Sequence, residues 1–213
     1  MYKYVFLAVL IVLTSCISVN NKKKLPILGP RDTHFSTQNN QQIVDTIYHT
    51  IPTFSFINQD SNIVTNTTVA GKIYIADFFF TSCPTICPIM TSNLVKVRQQ
   101  FKNENNLVIL SHSIDTRHDS VPVLKKYAEK IGAKAPSWHF LTGNKHEIYT
   151  IAESYLVSAA EDGSAPGGYI HSGAFILIDS KGRIRGYYDG TLERDIDFLI
   201  KDLKVLLHEE QNS

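Results

Sequence analysis

Hydrophobic residues recur at strand spacing and at helix spacing in alternating segments from residue 51 onward. The run from Lys72 to Phe80 is β-branched and aromatic enough to predict a buried central strand, and Leu107 to Ile114 predicts a second one. Helical spacing of apolar residues follows each strand, from Ile89 to about Lys102 and from Val121 to Ile131, where Gly132 can end the helix. Beyond residue 132 the pattern predicts a strand from Trp138 to Leu141 and a helix from Lys145 to Tyr155. It then predicts a hairpin of Ala174 to Asp179 with Arg183 to Tyr188, and a closing helix from Leu192 to Leu207.

This order of elements indicates one α/β fold. Parallel strands joined by helices, followed by an antiparallel hairpin, form a mixed sheet that is flanked by helices. Two short strand patterns, Phe54 to Ile57 and Ile63 to Thr68, add an N-terminal β segment. The predicted topology is thioredoxin-like, with an extra helix before the hairpin.

The first 50 residues follow a different pattern. Tyr4 to Leu13 is an apolar run too short to span a bilayer, which takes about 20 residues, so it predicts the core of a signal peptide. The run leads to Leu13-Thr14-Ser15-Cys16, which resembles a bacterial lipobox, where the chain is cleaved before a cysteine that becomes acylated. We therefore predict a lipoprotein signal peptide over 1–15, a lipid-anchored and irregular tether over 16–50, and a domain over 51–213. This places the protein in the bacterial cell envelope, held to a membrane by lipid, with the domain facing the periplasm.

Composition limits the partners of this domain. With 213 residues, 43% of them hydrophobic, the chain can bury the core of one α/β domain. The 21 Lys and Arg residues nearly balance the 20 Asp and Glu residues, leaving a net charge of +1. Such a balance creates no long-range field that would attract phosphates, so we expect no nucleic-acid partner.

Two cysteines, Cys83 and Cys87, lie between the first buried strand and the helix after it, where open α/β sheets bind ligands. Pro88 favours a loop conformation for Cys87, and the nearby helix N-terminus is expected to lower the pKa of its thiol. Two such thiols can form a disulfide or hold a soft metal. A purely structural disulfide would close a loop of about five residues and stabilise the fold little. Thioredoxin-type exchange uses two intervening residues, whereas this pair has three.

A histidine and two aspartates could complete a site with these thiols. His171 lies in a glycine-rich loop, Pro166 to Gly173, that enters the final hairpin and passes beside the cysteine loop in thioredoxin-like folds. Asp77, inside a hydrophobic strand, and Asp115, at the end of the second strand, are each either carboxylates near the thiols or hydrogen-bonded structural residues. The other histidines lie in the tether, at helix ends or in strand segments: His34, His49, His112, His118, His139, His146 and His208.

Together these motifs resemble the Sco/SenC family of copper chaperones for cytochrome c oxidase. The resemblance runs from Ile51 to about Leu207 and is carried by Phe-Phe-Phe-Thr-Ser-Cys-Pro-Thr-Ile-Cys-Pro, by Ser113-Ile114-Asp115 with Arg117 and Asp119, and by His171 before Phe175-Ile176-Leu177-Ile178-Asp179. Many relatives carry an acidic residue before the histidine, where this chain has Ile170.

The resemblance implies that Cys83, Cys87 and His171 bind copper. Two thiolates and an imidazole suit Cu(I), and the imidazole also allows Cu(II). It further implies delivery of copper to the CuA centre in subunit II of a respiratory cytochrome c oxidase. Two alternatives use the same residues: a thiol–disulfide reductase in which Cys83 and Cys87 form a redox pair that reduces the oxidase's own cysteines, or a copper or redox sensor.

Overall fold

The computed structural model describes residues 24–38 and 41–212, which form a strand-rich domain with four α-helices. In chain order its elements are β1 (Arg31–Gln38), β2 (Gln41–Tyr48), β3 (Ser55–Asn58), β4 (Ile63–Thr65), β5 (Ile73–Phe79), α1 (Cys87–Gln100), β6 (Leu107–Ser113), α2 (Val121–Ile131), β7 (Trp138–Thr142), α3 (Lys145–Ser154), β8 (Ala159–Glu161), β9 (Tyr169–His171), β10 (Ala174–Ile178), β11 (Ile184–Asp189) and α4 (Glu193–Gln211). Within the described ranges no helix combines the length and the apolar character needed to cross a membrane.

One mixed sheet organises the domain. Its seven strands lie in the order β11-β10-β5-β6-β7-β3-β4, with β5, β6 and β7 parallel and the outer pairs antiparallel. Every residue of β5, β6 and β7 is buried, although successive side chains of a strand point to opposite faces. Both faces of the sheet are therefore covered, which confirms the predicted α/β fold. The extra helix expected before the final hairpin is α3.

Helix α1 begins at Cys87, two residues earlier than the apolar spacing predicts. The sequence predicts a loop position for Cys87, and this is wrong. Pro88 occupies the first turn of the helix, where backbone N–H groups have no partner within the helix, so the missing N–H of proline costs nothing there. The cysteine pair thus joins a loop residue, Cys83, to the first residue of a helix.

The irregular structure predicted before residue 51 is wrong for residues 31–38 and 41–48. These residues form β1 and β2, an antiparallel hairpin in which Phe35 is opposite Val44. The alternation of apolar and polar residues that predicts a strand is weak in this stretch, because neither side of the hairpin is uniformly apolar. The predicted signal peptide, Cys16 and the tether up to residue 23 lie outside the described residues.

Residues 25–28, here called the strap, precede the hairpin and attach to the edge of the sheet. The Leu28 N–H donates to the carbonyl of Ile184 on β11 at 2.8 Å. The buried Arg185 guanidinium donates to the carbonyls of Leu25 at 2.6 Å and Pro26 at 3.0 Å. The same guanidinium pairs with two carboxylates, those of Asp179 and Glu209. The Leu25 and Pro26 carbonyls and the Leu28 N–H thereby have partners, and Leu25 is buried against the core.

Candidate metal centre

The loop that carries Cys83 follows the carboxyl end of β5 and is held in place by Asp119. This carboxylate is completely buried and accepts the Thr81 N–H at 3.0 Å and the Ser113 hydroxyl at 2.6 Å. The Thr81 hydroxyl donates to its other oxygen. Three donors from two segments converge on one side chain, which fixes the start of the cysteine loop against β6.

Cys83, Cys87 and His171 are brought together at the end of this loop. Their two sulfurs and one imidazole nitrogen all lie within 4.8 Å of one another, and this is the only such potential metal-binding group among the described residues. The Cys87 Sγ is 3.4 Å from the His171 Nε2, and both cysteines are free thiols. The His171 Nδ1–H donates to the Ser172 carbonyl at 3.0 Å, which leaves the lone pair of Nε2 directed at the thiols.

Aromatic packing and one glycine place His171 beside the cysteines. The ring of Phe80 contacts the rings of Tyr169, at 5.1 Å between centroids, and His171, at 5.9 Å. Gly167 has a φ of +81°, and a Cβ at this position would lie 2.7 Å from the Phe80 ring. The Tyr169 hydroxyl donates to Asp115 at 2.8 Å. The segment that carries the histidine therefore approaches the cysteine loop closely because residue 167 has no side chain.

The two thiols differ in proton affinity. Burial raises the pKa of Cys87 far above its usual range, and hydrogen bonding to Cys83 raises it further. Burial also opposes ionisation of Cys83, but hydrogen bonds from the Cys87 thiol and from the Thr85 and Cys87 backbone outweigh it and lower its pKa. The predicted lowering of the Cys87 pKa is wrong, because desolvation exceeds the effect of the helix N-terminus. Burial lowers the pKa of His171, so its imidazole is neutral and able to bind a metal.

The two candidate carboxylates lie outside the three-residue group. Asp77 is buried within β5 and accepts the Ser111 hydroxyl at 2.5 Å, while Ser111 accepts the indole N–H of Trp138 at 2.9 Å. Burial raises the pKa of Asp77 to about 7. Asp115 accepts the Tyr169 hydroxyl and the His118 N–H, so it contacts the histidine segment rather than a ligand atom. A role for either one beside the metal stays a prediction.

Three residues that position the site carried no predicted role. Asp119 belongs to the motif after the second strand, and an aspartate in such a motif is a signal for loop anchoring. Gly167 is part of a visible glycine pair, which marks a special backbone conformation. Tyr169 has no signal in the sequence, because its partner Asp115 is distant along the chain.

The chemistry of the donors fits a copper ion. Two sulfurs and one imidazole nitrogen form a soft ligand set, which favours Cu(I) over hard cations such as magnesium or calcium. The three donor atoms lie within 4.8 Å of one another. Two donors on opposite sides of one ion, with bonds of about 2.0–2.3 Å as found for zinc bound by nitrogen and sulfur, are separated by a similar distance.

Comparison with known families shows which family carries this arrangement of residues. Residues 45–208 match the family model described as SCO1/SenC. The chain belongs to the SCO1/SenC family. The match covers the sheet, the cysteine loop and the histidine segment, and excludes most of the β1–β2 hairpin.

Several solved structures of Sco proteins are similar to this protein. A SCO1/SenC family lipoprotein from Bacillus anthracis is 30% identical with a TM-score of 0.68, and the match covers 74% of this chain and 95% of that one. BsSco, a member of the Sco family of cytochrome c oxidase assembly proteins in which a disulfide switch was identified, is 32% identical with a TM-score of 0.64, covering 74% and 93%. Arabidopsis thaliana ScoI with copper bound is 26% identical with a TM-score of 0.61, covering 72% and 97%.

The residue before the histidine ligand, Ile170, is apolar. Ile170 precedes His171 and pairs with Ala160 across β8 and β9, while His171 pairs with Ala159. Successive residues of a strand point to opposite sides, so the half-exposed Ile170 side chain points away from the metal ligands. In this Sco protein, residue 170 therefore presents an apolar surface beside the site instead of a group that bonds to His171.

Proposed function

We propose that this protein binds one copper ion through Cys83, Cys87 and His171 and delivers it to the CuA centre in subunit II of a respiratory cytochrome c oxidase. The observation that carries the proposal is the convergence of these three ligand atoms within 4.8 Å. Copper bound to one similar Sco structure, and the oxidase assembly role of another, support the metal and the destination.

Binding and release of copper would follow from the chemistry of the three side chains. Binding displaces the thiol protons, so the affinity falls as the pH drops. The neutral imidazole needs no deprotonation, and the hydrogen bond to Ser172 holds it in orientation. Acceptor thiols would then replace Cys83 and Cys87 one at a time, so that copper passes between proteins without being released to water.

An anaerobic Cu(I) titration of the reduced protein tests the copper site. We expect a 1:1 complex in the wild type. Binding should be more than tenfold weaker in Cys83→Ser, Cys87→Ser and His171→Ala, because even losing a residue that only hydrogen-bonds to a ligand lowers metal affinity about 10–100-fold. His146→Ala is the matched control, because His146 is an exposed histidine on α3 and does not belong to the three-residue group. No 1:1 complex, or equal binding in the ligand and control variants, would refute the proposal.

Delivery needs its own experiment. Protein loaded with Cu(I) is mixed anaerobically, at two copies per acceptor because the centre is binuclear, with the reduced, copper-free soluble domain of subunit II. The two proteins are then separated and the copper on each is measured, and we expect the copper on the acceptor. Copper that stays on the donor, or that transfers equally well from a small-molecule copper complex, would contradict a delivery role while leaving the binding site intact.

We further propose that Cys16 is acylated and that the domain faces the periplasm. The lipobox-like Leu13-Thr14-Ser15-Cys16 supports this, as does the lipoprotein nature of the similar Bacillus anthracis protein. Several acyl chains hold a protein stably on a membrane. Mass spectrometry of residue 16 tests the modification, and Cys16→Ser should move the protein from the membrane fraction to the soluble fraction.

Thiol–disulfide exchange is the second candidate function. Two free thiols within 4.8 Å of each other can close a disulfide, and a disulfide switch was identified in the similar BsSco. His171→Ala separates the two functions, because it removes a copper ligand and leaves both thiols. Reduction of a disulfide-containing subunit II peptide that survives in His171→Ala and is lost in Cys83→Ser would establish the reductase activity.

A further inference from the structure

The β1–β2 hairpin is an exposed arm, here called the hairpin arm (residues 31–48). Phe35, Val44 and Ile47 are 63%, 58% and 53% exposed, and Phe35 and Val44 lie opposite each other, so they form an exposed apolar pair. In the described part of the chain, no residue of the arm belongs to the hydrophobic core or packs against it. A two-stranded ribbon of this kind is only marginally stable in water, so we expect another surface to cover it.

The two faces of the hairpin arm differ in charge. Residues directly opposite each other in an antiparallel pair share a face, and the faces alternate along the strand. One face, here called the apolar face, carries Phe35 and Val44 together with Arg31, Thr33, Thr37, Gln42, Thr46 and Tyr48. This face has no carboxylate, and its one cation, Arg31, lies over the Tyr48 ring. The other face carries both acidic residues of the arm, Asp32 and Asp45, together with Ile43 and Ile47, so the carboxylates rather than the apolar residues distinguish the two faces.

The arm leaves the domain at the end of the sheet opposite the metal centre. Its base is closed by the His49 N–H bonding to the Pro30 carbonyl, next to the Leu28 N–H that bonds to Ile184. Ile184 is opposite Ile178, which in turn is opposite Tyr74 near the start of β5. The cysteine loop follows the other end of β5, about 17 Å further along at about 3.3 Å per residue.

The same end of the domain receives the chain from Cys16. The Leu25 N–H bonds to Glu209 near the end of α4, so residue 25 is a fixed point on the domain. Residue 25 is nine positions after Cys16, a stretch that spans at most about 30 Å when fully extended. Three lysines, Lys22 to Lys24, lie within this short stretch and would be attracted to anionic head groups. A lipid on Cys16 therefore brings a bilayer within reach of the arm.

We propose that the apolar face of the hairpin arm docks on the lipid bilayer that holds Cys16. Phe35 and Val44 would enter the boundary between head groups and acyl chains, with the carboxylates of the other face directed to water. The domain would then stand with its metal centre on the side away from the membrane, accessible to a partner that projects from the same bilayer. This inference rests on the acylation of Cys16 proposed above and is independent of the copper site.

Quenching by brominated lipids tests the docking surface. The chain has a single tryptophan, Trp138, which is 2% exposed, so an indole introduced at the surface can be distinguished from it. Full-length acylated Phe35→Trp is reconstituted in vesicles of phosphatidylethanolamine and phosphatidylglycerol with brominated acyl chains. The matched control is Ile63→Trp, because Ile63 is 69% exposed and lies on β4, at the sheet end near the cysteines.

We expect the brominated lipids to abolish most of the added emission of Phe35→Trp and none of that of Ile63→Trp. Adding Val44→Asp to Phe35→Trp should restore the emission, whereas adding Ile47→Asp, on the opposite face, should not. No quenching of Phe35→Trp, or equal quenching of both reporters, would overturn the docking surface. Quenching that requires many proteins per vesicle would assign the apolar face to a second copy of the chain and overturn it too. An unmodified Cys16 by mass spectrometry would overturn the anchor on which it rests.

Discussion

The buried carboxyl of Asp77 should make the folded protein less stable at pH 7 than at pH 4. Burial raises its pKa from 3.8 to about 7. Between these two pH values the unfolded chain has lost the proton while the folded chain retains it, so the free energy of unfolding falls as the pH rises. The loss is about 1.4 kcal/mol per pH unit, or roughly 4 kcal/mol in total, and it is complete above pH 7.

Asp77→Asn removes this pH dependence without changing the shape of the side chain. The amide oxygen can still accept the Ser111 hydroxyl, which donates to Asp77 at 2.5 Å. We therefore expect similar stability of the two proteins near pH 4, and a variant that is more stable by up to roughly 4 kcal/mol at pH 8. Urea unfolding of the reduced, metal-free protein, followed by the fluorescence of the buried Trp138 between pH 4 and pH 8, measures the difference.

Asp197→Asn is the matched control, because Asp197 is exposed on α4. Its stability should run parallel to that of the wild type over the whole pH range. The reasoning is refuted if the difference between Asp77→Asn and wild type stays constant with pH, or if the variant becomes less stable above pH 7.

Three further predictions concern groups around the sheet and the metal centre. His112 is fully buried in the described fold, and neither ring nitrogen makes a hydrogen bond of good geometry. Burial lowers its pKa to about 4, against the opposing effect of the Asp77 and Leu110 backbone, so stability should fall as the pH drops from about 6.5 to 4. His112→Phe should raise urea-measured stability by about 1–3 kcal/mol at pH 7 and more at pH 5, and a less stable variant would contradict this. Tyr169→Phe removes the hydrogen bond to Asp115, so Cu(I) affinity should fall by about fivefold, and an unchanged titration would show that this bond does not position His171. Asp119→Ala leaves three donors unsatisfied and should lower the midpoint of thermal unfolding, by more than the conservative Asp119→Asn does.

The central elements could be predicted because each has a strong local pattern. The apolar stretches at the start of β5 and β6 indicate strands covered on both faces, and all residues of both strands are buried, including the polar ones. The end of α2 is marked by Gly132, which adopts the expected left-handed conformation with a φ of +73°. The cysteine pair is visible from spacing and from its place between a strand and a helix. The location of His171 beside it depended on fold and family knowledge, because the contact spans 84 residues.

The features that were missed depend on the environment in three dimensions. The hairpin arm has no uniformly apolar side, so the period of two that marks a strand on a core is weak there. The proton affinity of Cys87 follows from burial in the folded chain, which a local argument from the helix dipole does not include. Burial of Leu25 depends on Arg185, which lies 160 residues away along the chain.

The strap has a practical consequence for preparing a soluble form of this protein. A chain that begins at residue 51, where the strand and helix patterns begin, would lack the Leu25 and Pro26 carbonyls that accept from the buried Arg185 guanidinium. It would also lack the Leu28 N–H and expose the free edge of β11, which favours aggregation. A chain that begins at residue 24 keeps both contacts. Poor yield of the shorter chain would therefore reflect a missing structural segment, and removing the lipid attachment alone is the safer way to study the copper chemistry in solution.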